Sequence, residues 1–174
     1  MSIKYGVIAG ILMIVIILLI YFVNVQELAS FLPVLVYVPL IFLMIWGGIT
    51  ARRELGNFSG FRQAFLTVFI ISITATILFD SFKYVLLTRI DPSIPVMIKQ
   101  KAIEIVTDRM DKIGASDEKT AKALEFINEQ DYTPTITNEL ERMAVSIAIG
   151  AIFSALIGLF VNRPDERAPI KAEE

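Results

Sequence analysis

Inside an apolar run that begins at Ala64, the segment ILFDSFKYVLL (Ile77 to Leu87) sets an acid, Asp80, three residues before a base, Lys83. On a helix that spacing makes the two side chains neighbours on one face. Ser72 and Thr76 precede Asp80 at steps of four, so four polar side chains form one stripe. Two chemistries suit an acid at membrane depth: a proton or ion site, or one half of a buried ion pair. Depth and nearby cations decide between them, because the penalty for a charge falls away from the bilayer centre.

Little other chemistry is available to the chain. It has no cysteine and no histidine, which removes thiolate nucleophiles, disulfides, Cys/His zinc sites, haem ligation by histidine and the Ser-His-Asp triad. No cofactor and no metal are expected. A net charge of −2 gives no electrostatic reason to expect a nucleic-acid partner. Glu104, Asp108 and Asp111 share a helix side with Lys112 close by, and a solvated face explains them better than a metal site, since nothing makes them converge.

The elements that must position these residues are set by hydropathy. Of 174 residues, 55% are hydrophobic and the mean hydropathy is +0.66, too apolar for a soluble domain of this length. The apolar residues are bunched into four stretches, about 5–23, 31–50, 61–87 and 139–162, each long enough to cross a hydrocarbon core of about 30 Å at about 1.5 Å per residue. The first is a retained span rather than a signal peptide, because Asn24 to Glu27 offers no small-x-small cleavage site. Pro33 and Pro39 predict a kink or a late helix start in the second.

Residues 89–138 are polar, and about a third of residues 89–142 are charged. Val96, Ile103, Val106, Met110 and Ile113 recur at helical spacing after Asp91-Pro92 and Pro95, and Gly114 suits a C-terminal stop. Ser116 followed by Asp117 and Glu118 reads as the cap of a second helix with Ala121, Leu124 and Ile127 on its apolar side. The fold class is therefore all-α: an integral membrane four-helix bundle with an extracytoplasmic helical hairpin, 89–138, between spans three and four, and a disordered cytoplasmic tail, 163–174.

Basic residues fix the expected orientation. Lys4, Arg52, Arg53, Arg62, Arg163, Arg167 and Lys171 fall on one side and the short opposite loop, Asn24 to Ser30, carries none. Both termini are thus expected in the cytoplasm of a bacterium, with the chain in the inner membrane and 89–138 in the periplasm. The Arg52-Arg53 turn also suits anionic lipid headgroups.

Packing signals lie on two spans. Ser146, Gly150, Ser154 and Gly158 repeat every four residues, a small-xxx-small stripe fit for close helix approach, and consecutive helices usually pack side by side. Gly6 and Gly10 make a single GxxxG, a packing face and weak evidence of dimerisation. Measured from the span centres, Asp80 lies about 11 Å and Arg142 about 16 Å outward, within an arginine's reach. Asp80 is accordingly expected to meet Arg142 or Lys83 as a structural ion pair.

KYGVIAG (Lys4 to Gly10), GGI (Gly47 to Ile49), FSGFRQAF (Phe58 to Phe65) and IDP (Ile90 to Pro92) together resemble the family numbered 4199 among the domains of unknown function, found chiefly in Bacteroidota. The resemblance runs in order from Lys4 to about Asn162. Thr67 and Val68 depart from it, standing where a small residue such as glycine is expected. It implies an inner-membrane protein without an assigned activity and carries over no catalytic residues.

The function expected from these features is that of a non-enzymatic accessory or scaffolding subunit of a larger membrane assembly, with lipid and other integral membrane proteins as partners. The alternative is a small transporter or channel using Asp80. An enzyme acting on lipid-linked substrates would have only Asp91 and the outer acids to work with.

Overall fold

The computed structural model describes residues 2–24, 28, 32–56, 58, 60–129, 132 and 134–162. All regular structure in them is helical: α1 (Ser2–Val23), α2 (Tyr37–Glu54), α3 (Phe61–Val85), α4 (Ile94–Lys112), α5 (Asp117–Glu129) and α6 (Ile136–Val161). Among the described residues, four stretches are long and apolar enough to cross a membrane: Ser2–Val23, Val34–Glu54, Phe61–Ile90 and Ile136–Val161. The tail 163–174 and most of the Asn24 to Ser30 loop lie outside the described residues.

The prolines act at the start of the second span. A 3-10 turn, Leu32–Val36, leads into α2, and Pro39 falls in the first helical turn, where its missing N–H is no loss. α2 then runs past Thr50 to Glu54, with Arg52 and Arg53 in its last turn. The third span also outlasts the hydropathy boundary, running to Ile90 beyond the end of α3 at Val85. Its last turn widens into a π-helical segment, Leu86–Ile90, closed by the Asp91 N–H on the Leu86 carbonyl at 2.9 Å.

α4 and α5 pack on each other. Gly114 takes φ +62° past the end of α4, a conformation that costs glycine little, and lets the Ala115 N–H reach back to the Met110 carbonyl at 2.9 Å. At the other end of the pair, Ile94 is buried in a small cluster with Leu86 and Leu87.

α3 sits at the centre of the bundle, packed on α1, α2 and α6 and most extensively on α1 and α6. Glycines bring those helices in. A Cβ on Gly6 would stand 2.6 Å from Thr74 Cβ and 2.8 Å from the Ile71 carbonyl oxygen, and one on Gly10 would lie 2.8 Å from Leu78. The GxxxG of the first span is thus an interface within this chain. On the other flank, a Cβ on Gly150 would meet Ser72 Oγ at 2.5 Å, and one on Gly158 would lie 3.2 Å from the backbone N and Cα of Phe65.

The departure at Thr67 and Val68 is accommodated from the partner helices. Val68 is fully buried and faces Gly48, with Val161 beside them. The small residue therefore comes from α2 while the bulk stays on α3.

Backbone atoms cannot step aside as a side-chain tip can, so Gly158, set against the Phe65 backbone, tests the α3–α6 contact directly. Gly158→Val should destabilise the protein by about 1–3 kcal/mol through overpacking. Leu159→Val, one residue on and exposed, should stay within about 0.5 kcal/mol. Thermal unfolding in detergent reads both, and equal melting temperatures would rule out the close α3–α6 contact.

Candidate functional site

The chemistry-bearing residues converge where α3 and α6 meet near the α4 end of the bundle. Asp80 lies on the α6-facing side of α3 and is 1% exposed. Lys83, one turn on, donates a hydrogen bond from Nζ to Asp80 Oδ1 at 3.0 Å. The same ammonium stands 2.8 Å from Glu139 Oε1 of α6. That second contact is an ion pair that bridges the two helices. Lys83 also stands 6.0 Å from the centre of the Phe79 ring, a weak cation–π contact.

Glu139 is held by the way α6 begins. Thr135 caps the helix by accepting the Asn138 N–H on its hydroxyl at 3.2 Å. This places Glu139 in the first turn, where the positive end of the helix dipole favours a carboxylate. Its side chain is 6% exposed.

Of the two partners expected for Asp80, the structure supplies Lys83 and not Arg142. A strict step of four rotates by about 40° each time on a 3.6-residue helix. Starting from Ser154, which is fully buried, the stripe through Gly150 and Ser146 has turned about 120° by Arg142. Glu139 lies only about 60° from Ser154. Arg142 consequently falls on an exposed face, and Glu139 takes the place facing Lys83. Counting about 100° per residue from Ser154 would have found it; hydropathy did not, because Glu139 stands at the polar edge of the fourth stretch.

Two carboxylates thus share one ammonium. Among the described residues, Asp80 Oδ2 and both oxygens of Glu139 are buried without a hydrogen-bond partner. The two residues line a cavity of about 300 Å³ between α3 and α6, whose other walls include Ser81, Tyr84, Val85, Ile136, Leu140 and Met143. Ser72 and Thr76, lower on the same stripe, are buried and face a separate groove of about 470 Å³ between α2, α3 and α6. Buried polar side chains among the described residues belong to α3 and α6 alone.

Asp91, Glu104 and Asp108 are occupied locally. Asp91 accepts the Tyr21 hydroxyl at 3.1 Å, the Ser93 N–H at 3.0 Å and the Ser93 hydroxyl. The Ser93 hydroxyl and amide hold its carboxyl below the usual carboxylate range. Glu104 pairs with Lys101 at 2.9 Å and Asp108 with Lys112 at 2.6 Å, both along the exposed side of α4. At the far end of the bundle, Arg52 donates to the Val161 carbonyl at 3.1 Å, a cation on the negative end of α6.

The chain matches the family described as "Protein of unknown function (DUF4199)" over residues 4–163, and it belongs to that family. No curated protein and no solved structure matches it.

Removing the only cation that the described residues place in the cluster should leave two carboxylates facing each other out of water. Lys83→Met is therefore expected to destabilise the protein by about 3–5 kcal/mol. Glu139→Gln in the Lys83→Met background should recover part of that loss, giving a coupling of about 0.5–3 kcal/mol in a double-mutant cycle. Strict additivity in detergent unfolding would show that Lys83 and Glu139 do not sense each other.

Proposed function

We propose that this family member is a non-enzymatic accessory or scaffolding subunit of a larger protein assembly in the inner membrane of a bacterium, one of the Bacteroidota. Both termini are cytoplasmic in this reading, on the strength of the basic residues gathered at the Arg52 end. The α4–α5 hairpin, within the periplasmic residues 89–138, is the surface offered to other subunits.

The observation that carries the reading is how little of that hairpin covers itself. Ile127 is the one buried side chain of α5, and in α4 only Ile94 and Pro95, at its root, are buried. Val96, Ile113 and Phe126 are exposed at 58%, 73% and 64%. A helix pair of this size cannot bury a full core alone, and exposed apolar residues concentrated on it suit a partner surface. The bundle's close-packing faces, by contrast, are consumed internally by α3.

The second reading is a small transporter or channel with Asp80 as its ion or proton site. The buried, incompletely paired Asp80 and Glu139 favour it. The absence of buried polar side chains from α1 and α2 among the described residues weighs against it, since a transport path wants polar groups from several helices near the midplane.

Gentle detergent extraction from native membranes should bring down a stoichiometric integral membrane partner, and Phe126→Asp should weaken its retention. A monodisperse monomer whose α4 and α5 resist protease as well as they do in the membrane would count against the accessory role. Asp80→Asn with intact folding and lost proton-coupled flux in vesicles would instead establish transport.

A further inference from the structure

The α3–α6 cavity is a cleft in the outer wall of the bundle. Val85, Ile136 and Leu140 at its mouth are exposed at 45%, 65% and 58%, and Ser81 is exposed beside them. Asp80 and Glu139, with side chains 2% and 6% exposed, form its inner wall. Both carry oxygens with no hydrogen-bond donor among the described residues. With both acids ionised, Lys83 balances one of the two charges, leaving the cleft one negative charge in excess at a depth where charge is costly.

What suits such a cleft has a cationic tip and an apolar stem. A lysine or arginine side chain has that form, its methylene chain lying along apolar walls while the head group reaches a polar site. The ammonium of a zwitterionic lipid is a poorer match, because its own phosphate cancels the charge it brings. Basic residues within membrane spans pair with acids for the same energetic reason that leaves these acids wanting a donor.

We infer that the cleft between α3 and α6 receives one basic side chain from a transmembrane helix of the partner protein. The inference rests on the accessory-subunit reading and adds the chemistry of the contact. Asp80, Glu139, Lys83 and the incoming basic side chain then form a two-acid, two-base cluster, neutral overall and shared between two chains. The hairpin and the cleft give the partner two separate points of attachment, one outside the hydrocarbon and one within it.

The test uses the full chain in its native membrane. The sequence has no cysteine, so Ser81→Cys carries a benzophenone maleimide at the cleft mouth without competing sites. Photocrosslinking should join it to a partner helix with a lysine or arginine within one turn of the linked residue. Glu139→Gln should lower the crosslink yield by about tenfold or more, while Glu139→Asp, which keeps the charge, retains it. Leu140→Trp, which fills the mouth and leaves the acids in place, should also lower the yield, so the outcome does not hang on the folding of an acid variant. Unchanged yield in Glu139→Gln, crosslinks to lipid alone, or linkage to a helix without a basic residue would overturn the inference. If a stoichiometric partner still co-purifies in those cases, the accessory role stands and only the cleft contact falls. If wild-type chain yields neither partner nor crosslink, both readings fall together.

Discussion

Lipid tails are as apolar as leucine, so helices already in a bilayer gain little by burying apolar side chains against one another. Cohesion has to come from close van der Waals contact and from polar groups that avoid the hydrocarbon. The bundle meets this constraint by placing one helix, α3, where glycines of its neighbours can reach its surface. Gly6 and Gly10 bring α1 onto one flank, Gly150 and Gly158 bring α6 onto another, and Gly48 admits Val68 from the α2 side. The larger core residues, such as Met13, Met44, Ile71 and Phe79, fill the space that these approaches define.

Close contact alone leaves the rotation and sliding of smooth helices loosely fixed. The charges supply what the glycines lack. Lys83 spans from α3 to Glu139 on α6 while holding Asp80 on its own helix, so α6 can neither slide by a turn nor rotate without stranding a carboxylate. A buried ion cluster is weak evidence for stability, and its better-attested use is in fixing register. At the opposite end, the Arg52 contact with the last carbonyls of α6 pins the same helix a second time. α6 is thus held by ionic or polar contacts at both ends and by backbone proximity between them.

Much of this was legible in the residues because it depends on local patterns. The four spans follow from hydropathy, the stop at Gly114 from its backbone freedom, and the start of α5 from the acids after Ser116. Ser146, Gly150, Ser154 and Gly158 marked the right face of α6 through its middle. What could not be read depends on rotation and on neighbours. α1 is apolar all round, so periodicity shows no face, and only its small residues mark the side turned to α3. The π turn at Leu86–Ile90 has no sequence signature. Glu139 was hidden among polar flanking residues, and the repeat of four, followed literally, pointed to Arg142 after it had rotated off the face.

The place of α6 in the chain gives its capture a schedule. Its binding face on α3 emerges from the ribosome roughly sixty residues before α6 begins, and at about 5–20 residues per second that interval lasts several seconds. During it, the Ser72 to Asp80 flank of α3 meets lipid or whatever protein is already in the membrane. A helix from another chain that presents a small-residue face and a suitably placed charge has that long to occupy the flank before α6 arrives. The polar segment between the two spans therefore acts as a delay line, and its length sets how long newly made α3 waits for α6.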